Sequence, residues 1–267
     1  MTNGEVKVEL ETRPQGVVAR VTLDNAVKAN TLNTPLMERF IAAIEALAGR
    51  DELRVVVLTG AGGRAFISGA DIDEMAELDP ISARAFITQV HRCCDVLRRL
   101  PVPVIARIEG YALGAGVEVA AACDLRIAAE TAVFGMPEVR LGIPSVVEAA
   151  LLPMLIGYGR TRQLLLLGQN ISAAEALSWG FVERLAAPDA LDAAVEEWVE
   201  ALLACGPNAI RLQKKLILDW EEMPPSAAVQ AGIEAFAASW ETPEPKLAMR
   251  GFLEAKAARK RSNEGKR

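Results

Sequence analysis

Pro103 to Ala128 reads PVIARIEGYALGAGVEVAAACDLRIA, and it passes from a short apolar run through a glycine-bearing turn into a helix built almost wholly of small residues. Val104 to Ile108 has the length and composition of a strand buried on both faces. Gly110 opens the turn, and Ala115 to Ala122 is small enough to lie close against whatever surrounds it. One residue in that helix is out of keeping. Glu118, in VEVAAACD, falls in the first turn of an otherwise apolar segment, where a charge facing a core is strongly disfavoured without a use or a partner.

Outward from this stretch the pattern alternates between strand and helix. Val6 to Leu10 and Val17 to Leu23 form a hairpin around Arg13-Pro14-Gln15-Gly16. Thr34 offers an N-cap and Pro35 a first helical position for a helix over 35–48, which Gly49 closes. Arg54 to Thr59 (RVVVLT) is a second buried strand, a glycine-rich segment follows, and a helix over about 81–100 is broken by Pro101 and Pro103. Beyond 128, Val133 and Phe134 suggest another short strand. From about 145 the chain is helical, punctuated at Gly180, Pro188, Gly206-Pro207, Pro224-Pro225 and Pro243 to Pro245. This predicts an α/β core over 1–200 and a helical region over 201–267.

Composition narrows the class. At 267 residues, 51% hydrophobic and 24% charged, the chain supports one core of α/β size with at most an appendage, and is neither fibrous nor disordered. The net charge of −6 opposes binding to nucleic acid or anionic membrane. A basic tail, six Lys or Arg against one Glu over Lys256 to Arg267, is the exception: a solvated end or a contact for an anionic ligand. The start, MTNGEVKVEL, lacks the marks of a secretory or transit segment, and no run approaches ~18 apolar residues, so a cytoplasmic protein without membrane spans is expected. Cysteines at 93, 94, 123 and 205 contain no C-x-x-C pair and His91 is the single histidine, which argues against zinc and disulfide frameworks. A Ser-His-Asp mechanism would have to run through His91, inside the helical HRCCDVLRRL. Carboxylates and backbone groups are left to do any chemistry.

Gly60-Ala61-Gly62-Gly63-Arg64-Ala65 fits a dinucleotide fingerprint by letters, but Phe66 to Gly69 intervene before any helix begins, so no helix N-terminus can face a pyrophosphate there. A different constellation carries more. Phe66 to Ile72 (FISGADI) and Gly110 to Glu118 (GYALGAGVE) each end a strand and enter a helix. First-turn amides lack partners inside their own helix, so the N–H groups of Ala70 and Ala115 are candidates for an oxyanion hole. Small residues that merely permit close helix packing are the competing reading. Glu138, after Pro137, is a second carboxylate that could pair with Glu118 or stand solvated in a loop. Paired carboxylates beside such a hole suit proton transfer next to a carbonyl and the addition of water.

These residues resemble the crotonase, or enoyl-CoA hydratase/isomerase, superfamily. The likeness runs from VVARVTLDNAVKANTLN (17–33) through VVVLTGAGGRAFISGADIDEM (55–75), the stretch 103–128 and FGMPEVRLGIP (134–144) to ISAAEALSWGFV (171–182) and the closing helix. It implies an α/β fold, a crotonase-like spiral of β-β-α turns with a C-terminal helical trimerisation region, forming a homotrimer or a hexamer of stacked trimers. It also implies an acyl-CoA substrate with coenzyme A as part of that substrate, no other cofactor and no metal. Residue by residue, Ala70 and Ala115 resemble the oxyanion donors, Glu118 and Glu138 the catalytic pair, and Gly114 the support of the second donor. Asp71 and Ile72 would line the CoA site, Lys28 and Arg64 would meet its phosphates or adenine, and Phe252 and Lys256 would reach CoA from the last helix. The implied reaction is hydration of a 2-enoyl-CoA, with Glu118 activating water and Glu138 protonating the α carbon. Double-bond isomerisation or another acyl-CoA conversion is the alternative, and a non-catalytic or RNA-binding protein on the same fold a minor one. Three positions depart from the family pattern: Ala115 where glycine is usual, Asp73 where a CoA-contacting lysine is common, and Ser145-Val146-Val147-Glu148 in place of a glycine-rich run.

Overall fold

The computed structural model describes residues 3–264, so Gly265, Lys266 and Arg267 of the basic tail lie outside the described residues. Strand β1 (Glu5–Arg13) and β2 (Gly16–Asp24) form the expected hairpin, followed by α1 (Thr34–Ala48), β3 (Leu53–Gly60), β4 (Ala65–Ile67), the single turn α2 (Ile72–Met75) and α3 (Pro80–Arg99). Then come β5 (Val104–Ile108), β6 (Tyr111–Leu113), α4 (Ala115–Ala122), β7 (Leu125–Ala129) and β8 (Val133–Gly135). Helix α5 (Leu152–Leu167), β9 (Asn170–Ser172), α6 (Ala173–Trp179), β10 (Arg184–Ala186) and the helices α7 (Leu191–Leu203), α8 (Pro207–Glu222), α9 (Pro225–Ser239) and α10 (Glu244–Glu264) complete the order. The chain divides into two compact units, Met1–Ala201 and Leu202–Arg267. No described helix is long and apolar enough to cross a membrane.

The first unit holds two sheets. One runs β1-β2-β3-β5-β7-β10 and the other β4-β6-β8-β9. The chain lays a strand in the large sheet, then one in the small sheet, then a helix: β3, β4 and α3, then β5, β6 and α4. This is the spiral of β-β-α turns that the resemblance implies. Strands β4, β6 and β8 are mutually parallel, so their C-terminal ends open on one side, where α/β folds characteristically place ligands. The apolar run of β3 is buried from Leu53 to Leu58, as a central parallel strand requires.

Two local expectations need correction. Tyr111–Leu113 pairs with β4 and β8 as a strand, although three residues between glycines carry too little periodicity to announce one. The cap of α1 is Asn33 and not Thr34: the Asn33 side-chain oxygen accepts from the Leu36 amide at 2.9 Å. Thr34 is already helical and gives its hydroxyl to Glu74 instead. The glycine-rich segment after β3 leads into strand β4, not into a helix, which disposes of the dinucleotide fingerprint. Asn33→Ala removes the acceptor of the Leu36 amide, leaving Glu74 to accept from the Thr34 amide at 2.9 Å, and is expected to cost about 1 kcal/mol, with Asn33→Gly costing only a few tenths. Equilibrium urea denaturation of the two variants measures the difference.

Candidate active site

Each of three neighbouring strands delivers one part of the site. After β4 the chain reaches Ala70, which forms an isolated parallel bridge with Leu32. That bridge uses the Gly69 carbonyl, accepting from Leu32 at 2.9 Å, and the Asp71 amide, donating to Leu32 at 2.8 Å. The Ala70 amide takes no part in it. After β6 the chain turns at Gly114 into α4, and Ala115 occupies the first helical position, where its N–H has no acceptor within the helix. After β8, Pro137 leads to Glu138. Ala70, Gly114, Ala115, Glu118 and Glu138 all line one cavity.

The closeness of these turns has a simple origin. Gly69 and Gly114 take φ of 108° and 51°, a region that side chains rarely tolerate. A Cβ on Gly114 would overlap Oε1 of Glu138 and come within 3.9 Å of the Gly69 Cα. The two turns therefore lie backbone against backbone, with the Glu138 carboxyl resting on Gly114. Glu138 is half-buried and accepts from the Ser145 hydroxyl at 2.9 Å through Oε2. Its proton affinity is raised, chiefly by burial, which its own amide and Ser145 oppose.

Glu118 is the more perturbed of the pair. All of α4 is buried, Glu118 included at 4% exposed. Burial pushes its pKa up to about 8, the charges of Glu138 and Glu148 push the same way, and the amides of Ala149 and Val146 oppose them. Burial and the neighbouring acids thus favour the protonated form of Glu118 at neutral pH. Met75, Phe86, Val90, Leu141 and Ile143 give the same cavity apolar lining.

Of the other expected residues, Ile72 lines the cavity and is exposed. Asp71 is buried outside the lining, capping α2 through the amides of Asp73 and Glu74. Burial works against its charge, but Lys28 and those amides outweigh it and hold the carboxyl below its ordinary value. Lys28 pairs with Asp71 at 2.9 Å and with Asp73 at 3.0 Å. Arg64 is exposed in the turn between β3 and β4, away from the cavity lining. Phe252 and Lys256 are exposed on α10 in the second unit. Ser145 was not singled out as a site residue; the only signal for it was its place in the unusual 145–148 segment.

A family model described as enoyl-CoA hydratase/isomerase matches residues 13–262. The chain belongs to that family. Among curated members, the short-chain-enoyl-CoA hydratase of Clostridium acetobutylicum is 36% identical over 90% of this chain and 92% of its own length. The crotonyl-CoA hydratase of Syntrophomonas wolfei is 34% identical over 86% of this chain and 88% of its own. Among solved structures of enoyl-CoA hydratases, that from Bacillus anthracis superposes with a TM-score of 0.89 at 33% identity, covering 95% of this chain and 97% of the other.

The protonation of Glu118 is testable without substrate. A carboxyl whose folded pKa lies near 8 instead of the ordinary 4.5 favours the folded state below the ordinary value, and that contribution is lost as pH rises from there through about 8. Glu118→Gln, which cannot ionise, should therefore gain stability relative to the parent chain as pH is raised from 5 to 9. Thermal melts of both proteins across that range check the sign.

Proposed function

We propose that this chain is an enoyl-CoA hydratase, adding water across the double bond of a 2-enoyl-CoA. The observation that supports this most is the convergence of a buried and a half-buried carboxyl and two backbone turns on one apolar-walled cavity. The Ala70 and Ala115 amides would donate to the thioester oxygen, whose negative charge grows as the β carbon is attacked. The start of α4 adds its positive end to the same point. One such donor typically stabilises a transition state by ~3 to 4 kcal/mol.

Hydration needs one ionised and one protonated carboxyl. The ionised member takes a proton from water as its oxygen bonds to the β carbon, and the protonated member gives a proton to the α carbon. The pair gains one proton and loses one. With Glu118 as base and Glu138 as acid, turnover ends with the proton on Glu118, which is also where burial favours it. That resting form is the one ready for dehydration of a 3-hydroxyacyl-CoA. Hydration begins once the water held between the acids passes the proton to Glu138. Both elements of water come from solvent, so the proposed reaction calls for no further cofactor.

Ile72, Lys28 and Arg64 are the proposed CoA contacts of the first unit, with Asp71 holding Lys28 and Gly114 supporting the second donor. Phe252 and Lys256 stand as CoA contacts on the resemblance alone. In the second unit Ile233, Phe236, Leu247, Phe252 and Leu253 are exposed apolar residues, an extent of surface that proteins seldom leave to water. We take it as covered by further copies of the chain in a trimer or a dimer of trimers. Light scattering on the purified protein should give a mass of three or six chains, and a stable monomer would overturn that assignment.

Glu118→Gln and Glu138→Gln should each lower kcat for crotonyl-CoA hydration by roughly 10²- to 10⁴-fold while leaving KM little changed. Loss of absorbance of the conjugated thioester measures the rate. Normal turnover by either variant would overturn the assignment of the pair.

A further inference from the structure

A third carboxyl stands beside this pair, outside the cavity lining and unused by the proposed chemistry. Glu148 is 7% exposed, in the turn Val147–Leu151 that packs against α3 and α4. Its Oε1 lies 2.7 Å from Nδ1 of His91, whose side chain is half exposed on α3. Its Oε2 is buried and finds no hydrogen-bond partner among the described residues. The neighbouring Cys94 thiol is a weak donor. An unsatisfied buried polar atom is costly, so this carboxyl is held where it is at a loss.

The backbone around it is held against preference as well. Val147 takes φ of 41°, a left-handed conformation that a β-branched residue rarely adopts. What this arrangement delivers is specific. The residues flanking the strained pair, Val146 and Ala149, are those whose amides bear on the Glu118 carboxyl. The groups facing Glu148 are His91, Cys93 and Cys94 from α3 and Glu118 from α4. Glu118 in turn feels Glu138 and Glu148. Among these, His91 supplies the strong hydrogen bond that ties the 146–149 segment to α3, and the Cys94 thiol adds a weak one to the same carboxyl.

We propose that Glu148 and His91 are positioning residues for the reaction at Glu118: their hydrogen bond clamps the 146–149 segment to α3, and that segment holds the Glu118 carboxyl toward the cavity. Neither residue touches substrate. The proposal rests on the hydratase reading above and extends it to two residues 57 positions apart.

His91→Leu removes the clamp from a half-exposed position, and His91→Gln restores a donor. Displacing Glu118 by a fraction of an ångström to 1 Å should lower kcat for crotonyl-CoA by roughly 10- to 100-fold with KM little changed, and His91→Gln should recover part of the loss. The looser segment changes both the burial of Glu118 and its contacts with the amides of Val146 and Ala149, so the alkaline limb of the kcat/KM profile should move. Glu148→Gln should move that limb to lower pH by removing one of the charges that disfavour ionised Glu118. Wild-type kcat together with an unmoved alkaline limb in His91→Leu would overturn the proposal, whether or not Glu148→Gln folds. A readout without substrate separates this from the hydratase reading. The pH-dependent difference in melting between the parent chain and Glu118→Gln should change in a His91→Leu background. An unchanged difference overturns the clamp even in a protein that hydrates nothing, whereas failure to hydrate crotonyl-CoA with a changed difference sinks only the hydratase reading.

Discussion

Two turns of backbone touch without a side chain between them, and the site depends on that contact. The Gly69 Cα lies within 3.9 Å of where a Cβ on Gly114 would stand, and the two following alanines line one cavity. The contact is possible because β4 and β6 run parallel, with a register shift between Ala65 and Ile67, so their C-terminal ends come out side by side. Strand β8 is next in the same sheet and brings Glu138 onto Gly114 by the same logic. Three short parallel strands, each of three residues, thus act as a ruler for the chemistry.

Against this backbone frame the carboxyls are set in tension with their surroundings. The start of a helix favours negative charge, yet Glu118 is buried among alanines and valines, with two other acids near it, and burial wins. Glu138 is less deeply placed and keeps the Ser145 hydroxyl as a donor. The environments of the two acids differ in depth and in partners, which is the condition for one to carry a proton while the other does not. Because the pair is coupled, its titration belongs to both members together.

The unusual 145–148 segment takes on meaning in this light. A glycine-rich run there would leave α3 and α4 without the Glu148 to His91 connection. In this chain the segment accepts a strained Val147 and a half-satisfied carboxyl, and sets amides against Glu118. The histidine that sequence reasoning set aside as a nucleophile's partner has a partner after all, a carboxylate far along the chain.

Much of the first unit was legible. The hairpin, α1, β3, β5 and α4 follow from apolar period, proline placement and turn residues, all of which act over a few neighbouring positions. Glu118 was conspicuous for the same local reason, a charge in an apolar helix, and the family was readable from ordered motifs. The strand Tyr111–Leu113 was not, since it exists only through pairing with β4 and β8, and Asn33 displaced Thr34 as a cap because Glu74 draws the threonine hydroxyl away. The nearness of Glu138 to Gly114, of Ser145 to Glu138 and of His91 to Glu148 belongs to the tertiary structure alone. Local patterning selects helices, strands and turns because their energetics are short-ranged. Which amide faces which acid, and how strongly burial raises a proton affinity, depend on strand order and on exclusion of water, and neither quantity exists until the chain has closed on itself.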